Sequence, residues 1–295
     1  MATSPATKPA VISRILLATD FSPCSDLALS YAIPLAVQFG VPLELLHVLP
    51  PNRPATATDV VPRVPFDQRA AERQFRLLEN SGKLRRVNHS ILIRRGSVWQ
   101  GLVEVIQSHD TDLIVIGTRG HGGMKKVFLG SRAEEIVRLA PRPVLTIGPH
   151  VPRAAADLEF KRIVYATDFF TGSLRAAPYL VCFADKLQAA VTLLHAIEDI
   201  DTLAPSSPER TPKGAFEKMQ NLIPADAKLR LSTHVLAKFG PPAETILKVA
   251  EEEMADLIVM GVRPTRATFV STHIPQTVGS YVVSHARCPV LTVRG

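Results

Sequence analysis

Short runs of continuous Val, Ile and Leu alternate along this chain with longer segments whose apolar residues recur at helical spacing. In the first half the runs predict strands at Ser13–Ala18, Pro42–Val48, Val87–Ile93, Leu113–Gly117 and Val144–Ile147. Between them, Ser22–Phe39, Phe66–Ser81 and Val98–Ser108 predict helices, the first with Ser22 or Ser25 as its cap. Ala133–Leu139 is amphipathic, and the proline-rich stretch Leu49–Pro65 is irregular. The second half predicts strands at Arg162–Ala166, Ala190–Ala196, Leu229–Leu236, Leu257–Gly261 and Val290–Val293. Strands apolar on both faces belong in parallel sheet covered by helices, and right-handed crossovers place helices on both sides. The expected class is α/β, doubly wound.

The two halves repeat each other. Arg14-Ile-Leu-Leu-Ala-Thr-Asp20-Phe21 returns as Arg162-Ile-Val-Tyr-Ala-Thr-Asp168-Phe169. Leu45-Leu-His-Val48 returns as Leu193-Leu-His-Ala196, and Asp112-Leu-Ile-Val-Ile-Gly117 as Asp256-Leu-Ile-Val-Met-Gly261. Arg142-Pro-Val-Leu-Thr146 returns as Cys288-Pro-Val-Leu-Thr292. Four pairs in one order and at nearly constant separation indicate a duplicated domain. The length of 295 residues suits two domains of ordinary size. The expected units are residues 1–150 and 151–295, joined through the polar, alanine-rich stretch His150–Asp157.

Composition narrows the function classes. No apolar run is long enough for a membrane helix, and the first ten residues have no apolar signal core. Cys24, Cys182 and Cys288 are scattered, with no C-x-x-C pair, so reduced thiols and a cytoplasmic location are expected. Net charge is +7 with a pI near 9.5. The basic residues Lys83, Arg85, Arg86, Arg94 and Arg95 flank a predicted strand without an aromatic ladder, which indicates a solvated basic edge and no nucleic-acid partner. The excess positive charge still favours approach of an anion.

The chemistry-bearing residues gather at the carboxyl ends of strands. Thr19-Asp20 ends the first strand, His47-Val48 the second and Gly117 the fourth, so three motifs converge on one crevice of a doubly wound sheet. Gly117-Thr-Arg-Gly120, nine further residues, then Gly130-Ser131 form a glycine-rich loop between a strand and a helix. Such loops let backbone N–H groups approach phosphate. This G-x2-G-x9-G-[ST] spacing, together with the repeat, resembles the universal stress protein family in its tandem form, over nearly the whole chain and twice.

The resemblance implies two tandem doubly wound five-stranded parallel-sheet domains of the adenine nucleotide alpha-hydrolase-like kind, and ATP with Mg²⁺ as ligands. Ala18, Thr19 and Asp20 would line the adenine and ribose end, with Val48 offering backbone to the base and Ile116 and Gly117 flanking the nucleotide. Gly120, Gly130, Ser131, Arg132 and Ala133 would wrap the triphosphate, and Arg119 would reach it from the loop. The ion would be held mainly by phosphate oxygens and water, so neither a protein metal site nor a catalytic residue is assigned. Binding would order the Gly120–Gly130 loop and signal to a protein partner. Alternatives stay open: Asp20 as a cap of the next helix, Ser131 as an ordinary N-cap, His47 as a hydrogen-bonded core histidine, Arg119 as a solvated loop charge. Slow ATP hydrolysis and a nucleotide-free scaffold are the rival functions; no Walker loop or metalloprotease motif is present.

The second half departs from the pattern. Pro264 stands where the first half has Gly120, the loop to Gly279 is longer by five residues, and Ala196 replaces Val48. Proline has no N–H, so the second half is expected to bind ATP weakly or not at all. The last strand of each half would lie at a sheet edge, and these edges are expected to pair within one chain or across a homodimer.

Overall fold

A computed structural model describes residues 10–51, 68–118, 129–155, 157–198, 208–228, 230–263 and 277–295. The first half runs β1 (Ile15–Ala18), α1 (Pro23–Phe39), β2 (Leu43–Leu49), α2 (Gln68–Asn80), β3 (His89–Arg95), α3 (Val98–Ser108), β4 (Leu113–Gly117), α4 (Ser131–Leu139) and β5 (Val144–Ile147). The second runs β6 (Arg162–Ala166), α5 (Thr171–Leu187), β7 (Ala190–Ile197), α6 (Pro212–Gln220), a helical turn α7 (Ala225–Lys228), β8 (Thr233–Phe239), α8 (Pro242–Glu252), β9 (Leu257–Val262), α9 (Val278–His285) and β10 (Val290–Arg294).

All ten strands form one sheet in the order β3-β2-β1-β4-β5-β10-β9-β6-β7-β8. Pairing within each half is parallel, while β5 meets β10 antiparallel with Leu145 opposite Leu291. The carboxyl ends of β1 and β6 therefore lie at opposite edges of the sheet. The reversal of winding falls between β1 and β4 in one half and between β6 and β9 in the other.

Burial explains the layering. One apolar layer joins α1, Phe75 of α2, α5 and Met219 of α6 to one sheet face; the other joins α3, α4, α8 and α9 to the opposite face. Phe39 of α1 meets Phe183 of α5 with ring centroids 5.1 Å apart, so the first layer continues across the joint. The segment between the halves is tied down: the Tyr31 hydroxyl donates to the Pro152 carbonyl at 2.9 Å, and Arg153 pairs with Asp26 at 2.6 Å. Asp26 also takes Lys83 at 3.0 Å.

Element boundaries match the hydrophobic pattern closely, with two instructive shifts. β1 begins at Ile15 because Ser13 instead donates its backbone N–H to Asp112 at 2.8 Å. β8 begins at Thr233, four positions after the expected start, because Leu231 is buried in the turn that follows α7. As an edge strand β8 is only half-buried, so its apolar pattern is weak. The opposite edge, β3, ends in Arg94-Arg95, a charged edge that discourages further strand addition.

Two glycines at the strand ends permit the helices to approach the sheet. A Cβ on Gly117 would stand 2.5 Å from the Cys24 carbonyl oxygen, and one on Gly261 would stand 2.1 Å from the backbone of Gly172 and Ser173. Gly261→Ala should lower unfolding stability by about 1–3 kcal/mol or more through overpacking. Gly40, a left-handed C-cap at φ +71° with open space around it, should cost only about 1 kcal/mol as alanine. Urea titrations of the two variants would show equal midpoints if the close approach at Gly261 carried no weight.

Candidate functional site

The carboxyl end of β1 turns sharply through Thr19-Asp20-Phe21 into α1. Phe21 adopts φ +61°, a left-handed conformation that a bulky residue holds only when its surroundings impose it. The restraints are visible. The Phe21 N–H donates to Thr19 Oγ1 at 3.0 Å, and the Ser22 N–H donates to Asp20 Oδ1 at 3.0 Å. Thr19 Oγ1 contacts Ser25 Oγ at 3.1 Å, while Ser22 caps α1 by accepting from the Ser25 N–H. Asp20 thus closes the turn, and the cap itself is Ser22.

His47 holds the same turn from β2. It is buried, and its Nδ1–H donates to the Thr19 carbonyl at 2.8 Å while its ring lies against Phe21 at 4.7 Å between centroids. A carbonyl can only accept, so Nδ1 carries the proton. His47 is a structural support for the residues that flank the crevice.

The other expected residues fall around this turn. Ala18, Thr19 and Asp20 are half-buried at the end of β1; Val48 is half-buried at the end of β2, its neighbour on one side. Ile116 is buried and Gly117 half-buried at the end of β4, the neighbour on the other side. The loop leaving β4 is pinned at its neck, because the Gly130 N–H donates to the Thr118 carbonyl at 2.9 Å. Gly130 is the N-cap of α4 and has no side chain to offer, so Ser131 is the first helical residue and not the cap. Ser131 and Arg132 are exposed and Ala133 is buried. Arg119 and Gly120 lie outside the described residues. An uncapped helix start presents N–H donors and a positive dipole end, which suit an anion.

The second half reproduces the turn and changes what surrounds it. Phe169 sits at φ +60°, its N–H on Thr167 Oγ1 at 3.0 Å, and His195 Nδ1–H donates to the Thr167 carbonyl at 2.7 Å. Asp168 Oδ1 accepts from the Phe170 N–H at 3.1 Å and from Ser173 Oγ at 2.8 Å. Its other oxygen is taken by Arg263, from the end of β9, whose Nε and Nη2 donate to Oδ2 at 3.1 and 2.7 Å. The same guanidinium lies 4.0 Å from the centre of the Phe170 ring. The helix start differs from that of the first half. α9 begins earlier than α4 relative to the repeat, with Thr277 as N-cap accepting from the Ser280 N–H at 3.1 Å, so Gly279 lies inside the helix. Neither Arg263 nor Thr277 was marked by the motif; the only available signal was that Arg263 aligns with Arg119.

A cavity of about 270 Å³ between α1 and α2, lined by Leu17, Leu29, Leu45, Leu77 and Leu78, touches the turn through Thr19 and Phe21. It includes neither Asp20 nor Gly117 nor the start of α4, so it is separate from the crevice.

Comparison with known proteins agrees with this fold and its duplication. The family model described as "Universal stress protein family" matches residues 12–148 and again 159–294. A universal stress protein of Mycolicibacterium smegmatis is 25% identical over 291 residues, covering 95% of this chain and 96% of that one. The crystal structure of a universal stress protein from Archaeoglobus fulgidus superposes with a TM-score of 0.71 at 24% identity, over 95% of this chain and 96% of that chain. A functionally unknown protein from Pseudomonas aeruginosa superposes with a TM-score of 0.60 at 18% identity, over 96% and 92%. These two structures speak for the fold.

Burial alone would raise the Asp168 carboxyl, but hydrogen bonds from Arg263, Ser173 and the Phe170 N–H, with the Arg263 charge, hold it below the usual carboxylate range. A depressed folded-state pKa adds stability above the unfolded value and loses it as pH falls through the folded value. The stability difference between wild type and Asp168→Asn should therefore be full above the unfolded carboxylate value of about 4 and fade as the pH falls below it. Carbon-detected NMR titration should also show the Asp168 carboxyl moving up in Arg263→Ala; an unchanged midpoint would contradict the pairing.

Proposed function

The chain belongs to the universal stress protein family as a tandem member, and from that premise we propose that it is an ATP-binding switch whose nucleotide sits in the first half. The observation that carries this reading is the glycine-capped start of α4. Its donors are left without a side-chain cap, its loop is pinned to the end of β4, and Asp20 closes the end of the adjacent strand β1. In this reading the α4 N–H groups and Arg119 hold the phosphates, Asp20 and Thr19 address the ribose, and the backbone at Val48 meets the base. Mg²⁺ would ride on phosphate oxygens and water, neutralising charge, with the protein holding the nucleotide and not the ion.

Binding energy sets what the switch can do. Ligand at roughly 100 to 1,000 times its dissociation constant stabilises the bound state by about 2.7–4.1 kcal/mol. That is enough to reverse a conformational preference of a few kcal/mol, which a protein partner in the cytoplasm would then read. Among the described residues no helix is long and apolar enough to cross a membrane.

Freshly purified protein, denatured and chromatographed, should release about one ATP per chain. Gly120→Val and Asp20→Ala should each weaken ATP at least tenfold, about 1.4 kcal/mol, by calorimetric titration. Melting that is indifferent to millimolar ATP with Mg²⁺ would sink the reading and favour a scaffold. ADP alone in the released fraction would favour slow hydrolysis.

A further inference from the structure

We propose that Arg263 is a built-in occupant of the second crevice, a latch that closes it to the nucleoside part of an adenine nucleotide. The inference rests on the reading just given in one respect: that the aspartate ending the first strand of each half is where a ribose would be addressed. The geometry then follows from the second half itself. Arg263 leaves the end of β9 and reaches Asp168 at the end of β6, the adjacent strand, across the point where the winding reverses. Ligands of doubly wound sheets sit at that point.

The latch satisfies the groups a nucleoside would use. Both oxygens of Asp168 are engaged, one by the turn and Ser173, the other by two guanidinium N–H groups. The planar guanidinium lies over one face of Phe170, a side chain that stays more than half exposed. The sequence also restricts the backbone of Arg263 itself. Pro264 comes next, and a residue before proline is biased toward extended backbone, which keeps Arg263 from folding back as a helical residue would. The first half has an arginine at the same position, Arg119, but Gly120 follows it and imposes no such restriction. The phosphate end is closed separately, since Thr277 already takes the Ser280 N–H at the start of α9. Removing Arg263 should therefore open the second crevice to adenosine more than to ATP.

Equilibrium dialysis with labelled adenosine and with labelled ATP tests this on the full chain. In an Asp20→Ala background, which silences the first crevice, adenosine should not bind; adding Arg263→Ala should restore about one equivalent per chain, a gain of at least tenfold in affinity. Adenosine should also shift the Asp168 carboxyl resonance in the Arg263→Ala chain and leave it unmoved in wild type, a readout taken on protein whose spectrum shows that it is folded. Failure of the double variant to bind adenosine would overturn the latch. So would binding of adenosine to the Asp20→Ala chain in a form that Asp168→Ala removes, because the crevice would then be open with Arg263 in place. Absence of ATP from the wild type, with adenosine gained on losing Arg263, would defeat the first-half reading and support the latch.

Discussion

The antiparallel pairing of β5 with β10 is the constraint on which the rest of the molecule depends. Each half alone is a five-stranded parallel sheet whose last strand would expose a row of unpaired N–H and C=O groups. Joining those two edges removes both at once and makes a single ten-stranded sheet with its helical layers running across the joint. The pairing also fixes polarity: because it is antiparallel, the two crevices open at opposite edges. A ligand in one cannot touch the other directly. Coupling between them can pass through the shared sheet or through the α1–α5 contact, where Phe39 meets Phe183.

Within that frame the duplicated turn shows how a strained element is kept. A phenylalanine at positive φ carries a cost on the order of 1–3 kcal/mol. Both halves hold it, with the same threonine hydroxyl, the same aspartate-closed turn and the same buried histidine donating to the threonine carbonyl. The histidine is what makes the arrangement stiff. It links the end of the second strand to the end of the first, so the carboxylate between them is presented at a fixed place. This turn needs no ligand to hold it, since its partners lie within the protein.

Much of this was legible from residue pattern, and the reasons are physical. Buried parallel strands need apolar side chains on both faces, so β4, β5 and β6 could be placed to the residue. The edge strand β8 is half solvated, its pattern is mixed, and its start was misplaced into a turn where Leu231 is buried for another reason. The repeat revealed Asp20 and Asp168 as equivalents because identical local sequences fold into identical turns. It could not reveal that Asp168 meets a cation. That depends on where a side chain from a distant strand end is directed, and Arg263 lies 95 residues from Asp168. Likewise Gly279-Ser280 repeats Gly130-Ser131 in sequence, yet Thr277 starts the helix sooner. A cap depends on the residue just before the motif, and the motif does not include it.

On the proposed reading, these two features describe how a crevice could be closed without harm to the fold. A binding site is costly to keep empty because its donors and carboxylates must be satisfied by water or by a ligand. Deleting them would disturb the turn and helix they also serve. The second half instead satisfies them from within: a threonine takes a helix-start N–H, and an arginine takes the carboxylate. On the proposed reading each would stand in for a ligand interaction with an internal one of similar chemistry, and the paired sheet would remain intact. The asymmetry between the halves then has a direction. The first half has a glycine without a side chain at the cap of its last helix, while the second half caps that helix with Thr277.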